Sequence, residues 1–128
     1  MLAEARSRIG RYTPAEAAAA DMLIVDLRSN DERERDGIVP GSVHVPRSVL
    51  EWRCDPRSGF ANEHLAGRRL VLLCAQGYSS SLAASSVARL GLDVGDLEGG
   101  FEAWRAAGLP IAPAPDPAAG LPGMDGPQ

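Results

Sequence analysis

Cysteine thiols are the strongest side-chain nucleophiles this chain offers, and one of its two cysteines, Cys74, stands where the sequence changes character. The stretch L-V-L-L-C-A-Q-G-Y-S-S-S-L-A-A-S-S-V-A-R-L-G, Leu70 to Gly91, passes from an apolar run into the cysteine. A short polar turn follows, and then an alanine- and serine-rich pattern at helical spacing. In a parallel sheet, ligands bind at the carboxyl ends of strands, and a helix that starts there presents free N–H groups and a partial positive charge. If Gly77 to Ser79 make the turn, those amides aim at the sulfur and favour thiolate over thiol. Such settings bring a cysteine from a pKa of about 8.5 into a range of roughly 3.5 to 7.5. Gly77 suits an anion-cradling loop that needs positive φ or close backbone approach. Ser79, Ser80 and Ser81 can cap the helix and offer hydroxyl donors. The local pattern also leaves open a structural reading, in which Cys74 is a small buried hydrophobe closing a strand.

The rest of the composition narrows the chemistry. With 128 residues the chain fits one domain with an ordinary hydrophobic core. All 13 basic residues are arginine, and the net charge of -4 gives no electrostatic footprint for nucleic acid or an anionic membrane. No apolar run is long enough to span a bilayer, and the start M-L-A-E-A-R-S-R lacks a signal-peptide core, so a soluble, cytoplasmic protein is expected. Cys54 and Cys74 form no CxxC pair and lie near no histidine cluster, which argues against a zinc site; no metal and no cofactor are expected. A disulfide between the two stays open, though free thiols are the expectation in a reducing compartment.

The elements that must position Cys74 follow from periodicity and capping. Residues 1–10 read as a frayed or weakly helical lead-in. Thr13-Pro14-Ala15-Glu16 is a helix start, with a capping threonine, proline at the first helical position and Glu16 completing a capping box. Leu23 to Leu27 reads as a buried strand, Asn30 to Arg35 as a charged helical turn closed by Gly37, and Ser42 to Val45 as a second strand stopped by Pro46. Val49 to Trp52 looks helical, Asp55 to Asn62 loop-like, and a brief helix around Glu63 to Ala66 follows. Leu70 to Cys74 is a third strand and Ser79 to Leu90 a helix. Asp96-Leu97 enters the turn at Gly99-Gly100, and Phe101 to Ala107 is a helix ended by Gly108 and Pro110. From Ala112 onward, proline and glycine dominate without periodicity, so residues 112–128 are expected to be a disordered tail. Strands alternating with helices indicate an α/β fold with a parallel sheet covered on both faces.

Three segments together resemble a known family. Cys74-Ala75-Gln76-Gly77-Tyr78-Ser79-Ser80 is similar to the active-site loop of single-domain rhodaneses, the thiosulfate sulfurtransferases. Val25-Asp26-Leu27-Arg28 followed by Gly37-Ile38-Val39-Pro40-Gly41-Ser42-Val43-His44-Val45-Pro46 resembles the family's amino-terminal motif, with Val39 as an insertion between isoleucine and proline. Leu97-Glu98-Gly99-Gly100-Phe101-Glu102-Ala103-Trp104, with Gly108-Leu109-Pro110, resembles its carboxyl-terminal motif. The resemblance implies a three-layer α/β/α domain over residues 11–111, built on a five-stranded parallel sheet. It also implies ping-pong transfer, in which Cys74 takes sulfane sulfur from thiosulfate or a persulfide donor and passes it to cyanide or a thiol.

The same fold resembles that of cysteine phosphatases, which grip a phosphate dianion with an arginine at the end of a longer loop. Here no arginine follows Cys74 until Arg89, and Ser79 and Ser80 stand where one would be needed. The sulfur reading is therefore favoured, with Cys74 as nucleophile and Ala75, Gln76, Gly77, Tyr78, Ser79 and Ser80 as the substrate-binding loop. Arg47 and Arg53 follow the second strand on the side of Cys74 and are candidates to hold an anionic donor; a solvated surface role is the alternative. Arg28 and Asp26 read as structural, Trp104 as core, and Trp52 as core or pocket wall. Cys54 is a candidate resolving thiol or a core residue, and neither His44 nor His64 holds a position the family uses. Two other readings remain alongside the enzyme: a non-catalytic interaction module, and a sulfur relay fed by a partner protein.

Overall fold

The computed structural model describes residues 2–7, 9–20, 22–54, 69–77, 79–90 and 92–115, without the side chains of Trp52 and Arg53. The expected loop at 55–62 and helix at 63–66, Tyr78, His64 and the tail beyond residue 115 lie outside the described residues. Five strands form one sheet: β1 (Gly10–Tyr12), β2 (Leu23–Asp26), β3 (Val43–His44), β4 (Leu70–Leu73) and β5 (Val94–Leu97). Their order is β1-β5-β4-β2-β3, and every pairing is parallel. This is the five-stranded parallel α/β sheet that the resemblance implies.

Alternation along the central strands divides the apolar residues between two cores. Leu23, Val25, Leu70, Leu72 and Val94 face one side, with Leu50 and Cys54 of α4 (Leu50–Cys54) and Ala83, Ala84 and Val87 of α5 (Ser79–Ala88). Ile24, Val71, Leu73 and Leu97 face the other, with Ala17 of α2 (Pro14–Ala19) and Phe101 and Trp104 of α6 (Gly100–Ala106). Strands covered on both faces read as continuous apolar runs, which is why Leu23 to Leu27 and Leu70 to Cys74 were conspicuous. The Val39 insertion is absorbed locally: Val39 is buried in the second core, and its carbonyl accepts from the Ser42 amide and hydroxyl.

The cap of α2 falls where the sequence places it. Thr13 and Glu16 exchange both bonds of a capping box at the start of α2, and Ser29 and Glu32 do the same for α3 (Asn30–Asp36). A short 3-10 turn, Arg47–Val49, precedes α4. The lead-in is a helix, α1 (Leu2–Arg6), seated against α5. Ala112, at the start of the expected tail, exchanges two backbone hydrogen bonds with Ile38 at 2.8 and 2.9 Å. Among the described residues no helix is long and apolar enough to cross a membrane.

Candidate active site

Cys74 is the first residue after β4, the central strand, and lies 7% exposed at its carboxyl end. Leu73 is still hydrogen-bonded within the sheet, through its carbonyl to the Leu27 amide, so the strand delivers the cysteine from a fixed frame. The turn into α5 then closes over the sulfur. The Gly77 amide donates to Cys74 Sγ at 3.0 Å and the Ser80 amide at 3.4 Å, and the Ser80 hydroxyl lies 3.3 Å away. Gly77 has φ of +88°, and a Cβ there would come within 2.8 Å of the Gly99 amide nitrogen. Only glycine meets both demands, an unusual backbone conformation and close approach to a second loop.

That second loop is the start of α6. The Phe101 amide donates to the Cys74 carbonyl at 2.8 Å, and the Glu102 amide to the Ala75 carbonyl at 3.1 Å. Gly100, with φ of +61°, lets the helix end come this near, since a Cβ would strike the carbonyls of Cys74 and Ala75. The backbone around the sulfur is thus held with amides inward and carbonyls outward. Gly100 of L-E-G-G-F has its physical reason in that approach, and Gly99, with φ of +73°, in the Ala103 side chain that a Cβ would strike.

The electrostatics follow the same geometry. Burial pushes the Cys74 thiol up, but hydrogen bonds from the Ser79 and Ser80 hydroxyls and the Ser80 and Gly77 amides outweigh it, leaving the thiol below its ordinary value. Cys54 is the contrast: burial, then the neighbouring Glu51 carboxylate, push its thiol up to about 12. Both cysteines are free. One thiol is poised to ionise and the other is held neutral in the core.

Cys74 opens onto a cleft of about 300 Å³ walled by Ala75, Gln76 and Ser79 of its own loop and by Leu27, Arg28 and Glu32 across from it. Three predicted loop residues therefore border the cleft, while Gly77 and Ser80 act on the sulfur from behind. Arg47 is not among the wall residues; it makes an exposed i,i+4 ion pair with Glu51 at 2.8 Å, so α4 draws it away from the cleft. The Arg53 side chain lies outside the described residues. Arg28, expected to be structural, is buried and grips Asp26 at 2.8 Å and the Gly37 carbonyl at 2.8 Å, with its guanidinium 3.9 Å from the centre of the Phe101 ring. It nonetheless lines the cleft, and its Nη1 has no hydrogen-bond partner among the described residues. A second cleft of about 270 Å³, between α2 and Trp104, has no titratable side chain among its described lining residues, and the hydroxyl of Ser42 there donates to the Val39 carbonyl.

Sequence reasoning missed the polar layer behind the loop. Asp96 of β5 is fully buried and accepts from Arg11 of β1 and from the hydroxyls of Ser80 and Ser81. An acidic residue inside the otherwise apolar V-G-D-L is the signal that could have found it, because a buried carboxylate must be paired.

Comparison with known proteins agrees with this architecture. A model of the rhodanese-like domain matches residues 11–107. The thiosulfate sulfurtransferase GlpE of Pseudoalteromonas translucida (strain TAC 125) is 31% identical over 88 residues, which are 68% of this chain and 76% of that protein. Among solved structures, a protein of unknown function from Rhodopseudomonas palustris CGA009, described as a possible tyrosine phosphatase, is 43% identical with a TM-score of 0.80, covering 86% of this chain and 89% of that one. A thiosulfate sulfurtransferase from Pseudomonas aeruginosa is 27% identical with a TM-score of 0.64, covering 80% of this chain but 19% of that longer one.

Proposed function

This chain belongs to the rhodanese-like domain family, and from that membership we propose that it is a sulfurtransferase whose Cys74 carries the transferred sulfur as a persulfide. The observation that carries the reading is the sulfur itself, at a strand end, facing a cleft and receiving two loop amides. In the first half-reaction the Cys74 thiolate attacks the outer sulfur of a donor. The S–S bond of the donor breaks, its electron pair leaves with the departing thiolate or sulfite, and Cys74 becomes Cys–S–S⁻. In the second, an acceptor nucleophile attacks the terminal sulfur and the Cys74 thiolate leaves, restored. Charge sits on sulfur throughout, so fixed amides and hydroxyls can hold it without a histidine base. A reducing cytoplasm, where the thiol stays free, is the setting that fits this cycle.

The cleft favours a persulfide donor over the thiosulfate dianion. Among the described residues its charged wall is Arg28 and Glu32, and Arg28 belongs to a buried group with Asp26 and Arg33. Two arginines stand against two carboxylates among the described residues there, so those residues give the cleft no net positive field for a doubly charged ligand. The reacting group of a persulfide, on a small thiol or a partner protein, carries at most one charge. The phosphatase description of the Rhodopseudomonas relative finds little support in this chain. Its loop contains no arginine, and Arg6 and Arg11 reach the outward carbonyl of Gly77 rather than the cleft.

Intact mass decides the matter. The purified protein is exposed to a glutathione persulfide or to thiosulfate, beside Cys74→Ala. The expected result is gain of one sulfur atom from the persulfide, slower gain from thiosulfate, removal by cyanide, and no gain in the variant. Failure to load from either donor would overturn transfer from small donors and leave a relay fed by a partner protein; if a protein persulfide also failed to load Cys74, a non-catalytic interaction module would be left.

A further inference from the structure

The loop that cradles Cys74 rests on a buried polar cluster drawn from three other elements. Asp96 lies beside Arg11 in the register of β1 and β5, and Arg11 Nε donates to its Oδ1 at 2.9 Å and Nη2 to its Oδ2 at 3.4 Å. The Ser80 hydroxyl donates to Oδ2 at 3.0 Å and the Ser81 hydroxyl at 2.6 Å. Arg6 of α1, which precedes the segment matched by the family model, donates to Ser81 Oγ at 3.1 Å and to the Gly77 carbonyl at 3.1 Å. Arg11 reaches the same carbonyl at 3.4 Å. Two residues, Ser80 through its hydroxyl and Gly77 through its peptide, belong to both this cluster and the sulfur.

We propose that Asp96, charge-balanced by Arg11 and braced by Arg6, is a positioning group that sets Ser80 and the Gly77 peptide for the anionic forms of Cys74. The inference rests on Cys74 being a working thiolate, as the proposed function requires, but its test does not depend on sulfur transfer. Ser80 has a single hydroxyl proton and two claimants for it, Asp96 at 3.0 Å and Cys74 Sγ at 3.3 Å. When Cys74 is a thiol, its S–H donates to Ser80 and Ser80 donates to Asp96. When Cys74 is a thiolate or persulfide anion, the Ser80 proton turns to the sulfur. Asp96 tolerates the turn because Ser81 and both Arg11 donors remain, so no buried acceptor is orphaned. Ser81 is fixed in its turn: its proton goes to Asp96 at 2.6 Å rather than to the Gly77 carbonyl at 3.2 Å.

The cluster also carries charge to within one hydroxyl of the sulfur. Asp96 alone would oppose a thiolate there, and Arg11 and Arg6 offset it. On the cleft side the sulfur faces Arg28, paired to Asp26, and Glu32. Substitutions in the cluster must therefore move Cys74 ionisation in opposite directions. Removing a nearby like charge lowers a thiol pKa, and removing an opposite charge raises it.

The test is the pH dependence of Cys74 alkylation by iodoacetamide, with no sulfur donor present; Cys54, held neutral up to about 12, stays silent. Asp96→Asn is expected to lower the Cys74 pKa by about one unit and Arg11→Gln to raise it by a similar amount, with Arg11→Lys restoring most of the wild-type value. Circular dichroism establishes that each variant is folded. Should Asp96→Asn not fold, the two Arg11 variants decide, at a side chain that is 21% exposed. A folded Arg11→Gln with an unchanged alkylation profile overturns the proposal, as does a shift in Arg11→Lys as large as in Arg11→Gln. A failure of sulfur loading with these shifts present would instead count against the sulfurtransferase reading alone.

Discussion

Ser80 is the residue on which the chemistry of this site turns, because its amide and hydroxyl both address the sulfur while its other hydrogen bond faces the buried carboxylate. Ser80→Ala keeps the amide and deletes the hydroxyl. One of the groups that hold the Cys74 thiol below its ordinary value is lost, while burial, which acts upward, stays. The Cys74 pKa is expected to rise by roughly half a unit to one unit. The acid limb of sulfur loading against pH should move up by the same interval, because the folded thiol then ionises later. Loading at pH well above that limb should fall little. A profile that keeps its limb but loses amplitude at every pH would show that the hydroxyl serves substrate rather than thiolate.

At the scale of elements, each part of the cradle comes from a boundary: the end of β4, the start of α5, the start of α6 and the start of α3. Glu32 is the capping-box glutamate of α3, and the cap is what holds its carboxylate beside the cleft. Glutamine serves the same box, so Glu32→Gln removes the rim charge and leaves the helix start intact. In a partly solvated cleft that charge is worth about 1 kcal/mol against an anion. Thiosulfate turnover should rise about fivefold, with a smaller effect on a persulfide donor and an unchanged thermal midpoint. Equal gains for both donors would mean that Glu32 does not discriminate by charge.

Boundaries are also where the sequence was readable. Thr13-Pro14 and Gly77 ahead of the serines are local signals, and a cap or a positive φ is decided within a few residues. The strands with continuous apolar runs were equally plain. What escaped was what local pattern does not encode. β1 is three residues, G-R-Y, and β5 is V-G-D-L, so neither has enough apolar residues to announce a strand; pairing along the sheet makes them. Arg6, Arg11 and Asp96 meet only through tertiary packing, and the expectation of a frayed or weakly helical lead-in gave no sign that α1 contributes Arg6. Arg47 could be placed near the right strand but not given a direction, since its partner Glu51 claims it.

The molecule as a whole places its two thiols in opposite environments on the same sheet. Cys74 lies at the sheet's carboxyl edge among inward amides, while Cys54 is sealed in the core beneath α4. The core thiol makes the fold sensitive to alkali. Its pKa rises from an ordinary 9.0 to about 12 on folding, through burial and then Glu51. Below pH 9 both folded and unfolded chains keep the proton, and the stability is fully present. Above that the unfolded chain releases it and the folded chain cannot, so stability falls by about 1.4 kcal/mol per pH unit until the folded value is reached. Against a total of about 5 to 15 kcal/mol for a domain, two pH units are a large loss. Urea midpoints at pH 8, 9.5 and 10.5 for the wild type and Cys54→Ala isolate the effect, because every other titrating group is common to both. The variant should be the less stable at pH 8, where it lacks the packed sulfur. The gap should narrow as pH rises, by about 2 kcal/mol over the range. A gap that stays constant would mean that water reaches Cys54 and that the core above α4 is not closed.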